Sequence, residues 1–154
     1  MGIAIGDFLD LRAVARVAFI TGDPLELIDR KQIPPAGTDA VFHLAAAVSG
    51  GCEAHFDLGM RSNYSATQAL LQACRALGTR PVVVYASSLA VFGSVPGQPP
   101  LGFIDDDTLP TPQSSYGIQK FIGEQLVADF SRKGFIRGRS TRLMTVSVRA
   151  GRPN

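Results

Sequence analysis

Apolar positions along the chain recur with two different periods, and the switching between them outlines the fold. Residues 17–21 (VAFIT) form a β-branched and aromatic run that ends at Gly22-Asp23, the pattern of a short buried strand. A mixed stretch from Leu25 to Asp29 follows and is stopped by Pro34-Pro35. Residues 39–46 (DAVFHLAA) carry no charge after the first position and are too few for a helix, which predicts a strand covered on both faces. Ser49-Gly50-Gly51 reads as a turn. Beyond it Met60, Tyr64, Thr67, Leu71 and Cys74 recur at three- and four-residue steps, which predicts a helix closed by Gly78.

Residues 82–87 (VVVYAS) are the clearest strand, a β-branched run that opens into serines. From Gly93 to Pro112 the chain is rich in proline and carries three consecutive aspartates, Asp105 to Asp107, which predicts a long surface loop and a lid on the substrate side. Ser114 or Ser115 can cap a following helix whose apolar stripe reads Ile118, Phe121, Ile122, Leu126 and Phe130. Residues 143–148 (LMTVSV) read as a last strand. Strands alternating with helices predict an α/β fold with a parallel, doubly wound sheet, in one domain spanning residues 1–154. Ligands bind such sheets beyond the carboxyl ends of the strands. The predicted ends at Ala46, Ser88 and Val148 fall on that edge.

Composition narrows the function. Of 154 residues, 45% are hydrophobic and 18% charged, the balance of a chain that buries a core and not of a disordered one. The net charge of +2 names no partner. Arg132, Lys133, Arg137, Arg139, Arg142, Arg149 and Arg152 gather late, but no aromatic platform accompanies them, so a nucleic-acid partner is not expected. Two cysteines, Cys52 and Cys74, lack metal-type spacing, and His43 and His55 read as a core and an exposed histidine, so no metal is expected. Without a leader at Met1 or an apolar run near the ~20 residues of a membrane span, the expectation is a soluble cytoplasmic protein.

One constellation carries chemistry. Tyr116 and Lys120 stand four residues apart at the start of a predicted helix, so both leave the same face and can meet one ligand. A free phenol has a pKa of about 10, and a tyrosine that serves as a base near neutrality depends on nearby positive charge. A lysine ammonium close by supplies it. Lysine also donates hydrogen bonds to a ribose. Ser88, ending the VVVYASS run, can hold a substrate oxygen while Tyr116 takes or returns its proton. The pair alone is a weak signal; the serine-ended strand, the long loop and the capped helix strengthen it.

These residues stand in a sequence that resembles the extended short-chain dehydrogenases, which include nucleotide-sugar epimerases and dehydratases. The resemblance runs from about Phe19 to Asn154. Its carriers are FHLAA at 42–46, Asn63, SSLAVFG at 87–93, PTPQSSYGIQK ending at Lys120, and VSVRAGRPN. Within the family, AVSGG, DLGMRSN and VSVRAGRPN are most similar to the D-erythronate dehydrogenase branch. The resemblance implies an NAD-dependent oxidation of a small sugar acid such as D-erythronate, with nucleotide-sugar epimerisation or a catalytically silent remnant as alternatives. It makes Tyr116 the base, Lys120 its partner and ribose ligand, and Ser88 the substrate clamp. Leu44, Ala45 and Ala46 would line the dinucleotide and Asp23 would reach its adenine. Asn63 would assist a proton relay, although asparagine on a helix also serves as a local structural group. Ser49 and Gly50 would border the substrate, or simply form the turn. Dimers through the helices bearing Tyr116 and Asn63 are the family default, so a homodimer is expected.

The family opens with a strand and a glycine-rich turn that meets the cofactor pyrophosphate. Gly2 and Gly6 do not have that spacing. Phe19 falls on the third strand of the family fold, and Asp10 reads as a surface acid. The implied fold is therefore a partial Rossmann-type sheet without its first strand, its glycine-rich turn and the substrate domain beyond Asn154. Since the strand order is 3-2-1-4-5-6, such a sheet lacks its middle and exposes new edges. Met144 and Ala150 also stand where the nearest branch carries proline.

Overall fold

The computed structural model describes residues 18–144. Pro24–Asp29 forms helix α1, Ala40–His43 strand β1, Ser49–Ala54 helix α2 and Phe56–Gly59 helix α3; a π-helical turn, Met60–Ser65, leads into α4, Ala66–Ala76. Val82–Ser88 is strand β2, Leu89–Val91 a 3-10 turn, Ser115–Arg132 helix α5 and Arg137–Leu143 strand β3. The three strands lie in the order β1-β2-β3 and all run parallel. His43 pairs with Tyr85, and Ser88 with Leu143, so the strands end along one edge. This is the parallel α/β arrangement that the alternating pattern predicts.

Strand β2 forms where β-branched residues repeat, and its side chains alternate strictly. Val83, Tyr85 and Ser87 are buried against the helices, while Val82, Val84, Ala86 and Ser88 line the half-buried opposite face. Leu70, Leu71 and Cys74 of α4, Val127 and Phe130 of α5, and Ile136 close over Val83 and Tyr85 to form the core. Each large apolar side chain fully buried there contributes about 1.5–3 kcal/mol. Helix α4 ends near Gly78 as its spacing predicts.

Four expectations need correction. Residues 18–21 form no strand, and Phe19 and Ile20 are 55% and 50% exposed. Strand β1 is covered on one face only: His43 is buried, whereas Phe42 is 68% and Leu44 66% exposed, and no described strand pairs with its outer edge. The expected turn at Ser49-Gly50-Gly51 is the first turn of α2. Of the predicted apolar stripe of α5, Phe130 is buried and Leu126 packs against the core, but the rest is not the buried face. That face consists of Gly117, Gln119, Lys120, Gly123, Glu124, Val127 and Phe130, while Ile118 is 45% exposed. Residues 145–148 of the last predicted strand lie outside the described residues; β3 ends at Leu143 and is built from RGRSTRL, a polar run that hydrophobic periodicity does not mark.

Candidate active site

Beyond the carboxyl ends of β1 and β2 opens a cleft of about 1690 Å³. Asp23, Leu44, Ala45, Ala46, Ser49, Ser88, Tyr116 and Lys120 all line it. Gly50 and Asn63 do not. The rest of the wall is largely apolar and includes Leu25 and Ile28 of α1 and Val41 and Phe42 of β1.

Each polar group reaches the cleft through an identifiable local device. Ser88 is the last residue of β2, and its Oγ accepts from the Ala90 amide at 3.2 Å, which fixes the hydroxyl oxygen at the head of the 3-10 turn. Tyr116 and Lys120 occupy the first two turns of α5. That helix starts where the sequence suggests: Ser114 Oγ accepts from the Gly117 amide at 3.1 Å, and Glu53 from α2 accepts from the Ser115 amide at 2.6 Å. Close approach sets the seat of the helix. A Cβ on Gly117 would lie 2.1 Å from the Ala90 carbonyl oxygen, and one on Gly123 would lie 2.3 Å from the Tyr85 hydroxyl. Only glycine at both positions lets α5 rest directly on the end of β2.

Lys120 is buried, and its Nζ donates to the Ala86 carbonyl at 2.7 Å. The ammonium stands 5.0 Å from the Tyr85 ring centroid and 5.7 Å from that of Tyr116, within reach of both aromatic faces. Loss of hydration draws Lys120 down to about 8, with the nearby Cys52 thiol acting in the opposite sense. Behind it His43 bonds Thr67 Oγ1 at 2.8 Å, and its ring lies 5.5 Å from that of Tyr85. Burial first, and then the Lys120 charge, hold His43 down to about 4, so it is neutral at pH 7. It is the satisfied core histidine that the sequence suggests.

Asn63 sits beneath the cleft wall. Its Oδ1 accepts from the Ala47 amide at 2.8 Å, while Nδ2 donates to the Ala47 carbonyl at 3.1 Å and to Gln119 Oε1 at 2.9 Å. The side chain thereby clamps the exit of β1 to α5. Asn63 turns inward from the π-helical turn, a geometry concentrated at functional sites. Asp23 is also committed: Oδ1 caps α1 through the amides of Leu25 at 2.9 Å and Glu26 at 3.3 Å, and Oδ2 pairs with Arg61 at 3.1 Å. The hydrogen bond from Arg61 leads in holding its carboxyl below the ordinary value. Sequence reasoning did not find Gln119, Glu53, Arg61 or the Glu124–Arg142 pair beneath β2, since each is recognisable only by its spatial partner.

Among the described residues, no group of three His, Cys, Asp or Glu side chains converges as a metal site, and no helix is long and apolar enough to cross a membrane.

Comparison with known proteins bears on this geometry. The model of a family described as the NAD dependent epimerase/dehydratase family matches residues 8–151. A D-erythronate dehydrogenase of Cupriavidus necator is 55% identical over 141 residues, covering 91% of this chain and 42% of the relative. The chain thus spans less than half the length of that curated relative. A nucleoside-diphosphate-sugar epimerase from Agrobacterium tumefaciens superposes with a TM-score of 0.71 at 42% identity, covering 88% of this chain and 38% of its own. A UDP-glucuronic acid 4-epimerase from Bacillus cereus, solved in complex with NAD, also has a TM-score of 0.71, at 30% identity, over 88% of this chain and 41% of its own.

Proposed function

This chain belongs to the NAD dependent epimerase/dehydratase family, and from that premise we propose that it provides the reaction centre of an NAD-dependent oxidoreductase acting on a secondary hydroxyl of a small sugar acid such as D-erythronate. The observation that carries the reading is the meeting of Ser88, Tyr116 and Lys120 on the wall of one cleft, at the carboxyl ends of parallel strands.

In this reading Ser88 Oγ holds the substrate oxygen, and Tyr116 accepts the hydroxyl proton as the C–H bond breaks. Lys120, anchored by the Ala86 carbonyl, keeps a positive charge beside the Tyr116 ring. Bound NAD would supply the hydride acceptor. Tyr116 and Lys120 fit the nicotinamide ribose, and Leu44, Ala45 and Ala46 offer an apolar wall for the dinucleotide. The fit stops there: the 154 residues contain no G-x-G-x-x-G spacing. The start of α1, which faces the cleft, is capped by the Asp23 carboxylate, and an anion there opposes a pyrophosphate. Asn63 acts by holding Ala47 and Gln119, which orients the cleft wall.

Tyr116→Phe removes the proton acceptor. In a full-length version of the enzyme it is expected to cut D-erythronate-dependent NADH production by about a hundredfold or more; unchanged turnover refutes the assignment. Calorimetry with the 154-residue chain is expected to show NAD binding weaker than micromolar, and micromolar affinity would mean that other groups replace the missing turn. The likeness to a nucleoside-diphosphate-sugar epimerase supports a second reading, in which the same residues return the hydride to a nucleotide sugar. Screening sugar acids against nucleotide sugars separates the two, because only net oxidation accumulates NADH. Ile118, Phe121 and Ile122 on the outward side of α5 offer a second copy of the chain an apolar surface, which supports a homodimer.

A further inference from the structure

Beneath β2, on the side away from the cleft, Glu124 of α5 is buried. A carboxylate withdrawn from water is costly unless every lone pair finds a donor. Arg142 of β3 supplies a two-pronged pairing, with Nε 3.0 Å from Oε1 and Nη2 2.9 Å from Oε2, and Ser87 Oγ donates to Oε1. The same guanidinium lies 4.9 Å from the ring centroid of Phe92. Asp106, from the acidic stretch of the 93–112 loop, adds favourable charge around it. One ion pair therefore touches β2 at Ser87 and the loop root at Phe92, and residues 88–91 lie between those contacts.

Tyr116, Lys120 and Glu124 follow one another at four-residue steps on one side of α5. Neither Glu124 nor Arg142 lines the cleft. A buried ion pair adds little net stability over well-packed apolar side chains, whereas a two-pronged arginine contact fixes direction as well as distance.

We infer that Glu124 and Arg142 are a positioning pair: by gripping Ser87 and Phe92 from α5 and β3, they set the Ser88 hydroxyl at its working distance from Tyr116 and Lys120. The inference rests on the catalytic reading above for its purpose, but its mechanical content can be tested apart from turnover.

Hydrogen–deuterium exchange is compared for the native chain, Glu124→Gln, and the double variant Glu124→Met/Arg142→Met. The double variant exchanges the ion pair for apolar side chains of similar length, so it keeps the fold even where the single variant does not. Amides of residues 88–92 are expected to exchange at least tenfold faster in the double variant, while those of residues 70–76 in α4 keep their native rate. Native exchange at 88–92 overturns the inference. So does an acceleration spread equally over 70–76, because the pair would then serve only to hold the fold together. In the active enzyme the double variant lowers kcat and leaves KM for NAD unchanged. If Tyr116→Phe leaves turnover intact, the catalytic reading fails and the exchange result still stands. If Tyr116→Phe abolishes turnover while 88–92 exchange normally in the double variant, the positioning pair alone fails.

Discussion

On the helical side of the sheet, Val83 and Tyr85 disappear beneath α4 and α5; on the cleft side, Phe42 and Leu44 stand open although they are as apolar. The polar groups divide in the same way. Lys120, Asn63, His43 and Glu124 are buried and each has a named partner, whereas Ser49 on the cleft is exposed. The closed side thus holds the fold, and the open side presents apolar surface along the cleft. Lys120 links the two sides, since it is anchored within the packed layer and reaches the cleft wall.

That division can be broken in three places. Leu71→Ala, in the centre of the packed side, should cost about 2–5 kcal/mol in urea unfolding; a loss below about 1 kcal/mol would mean that the helices do not form one tight layer over β2. Acid tests the same side through His43, whose folded-state value of about 4 lies below its ordinary 6.5. The unfolded chain therefore takes up the proton first. The contribution of His43 is complete above pH 6.5 and fades as the pH falls toward 4, a loss of roughly 2–3 kcal/mol. Urea midpoints that stay flat across that window would put the imidazole in water. Phe42→Ser, on the open side, should change stability by less than about 0.5 kcal/mol, and a loss of about 2 kcal/mol would show that the cleft closes over this ring in solution.

Much of the closed side was legible in the sequence. The VVVYASS run forms a strand because its β-branched residues suit a pleated layer, and Ser114 caps α5 because its hydroxyl reaches the Gly117 amide. The meeting of Tyr116 and Lys120 followed from helical spacing alone, and Ser88 from its place at the end of a strand. What escaped the reading was set by contacts distant in sequence. Strand β3 is a polar run, held by backbone pairing to β2 and by the Arg142 contact with Glu124. The buried face of α5 escaped because glycines and paired polar groups occupy it, while Ile118 turns outward. Nothing in MRSNYS marks a π-helical turn, and Asn63 disclosed its place only once Ala47 and Gln119 were seen around it.

The contact between Gly117 and the Ala90 carbonyl limits how this sequence can drift. A single methyl at 117 would have to prise the first turn of α5 off the backbone of its neighbour, and no rotamer could relieve the collision, because the obstacle is main chain. The residue beside the tyrosine is therefore among the least replaceable in the molecule, although it has no side chain of its own.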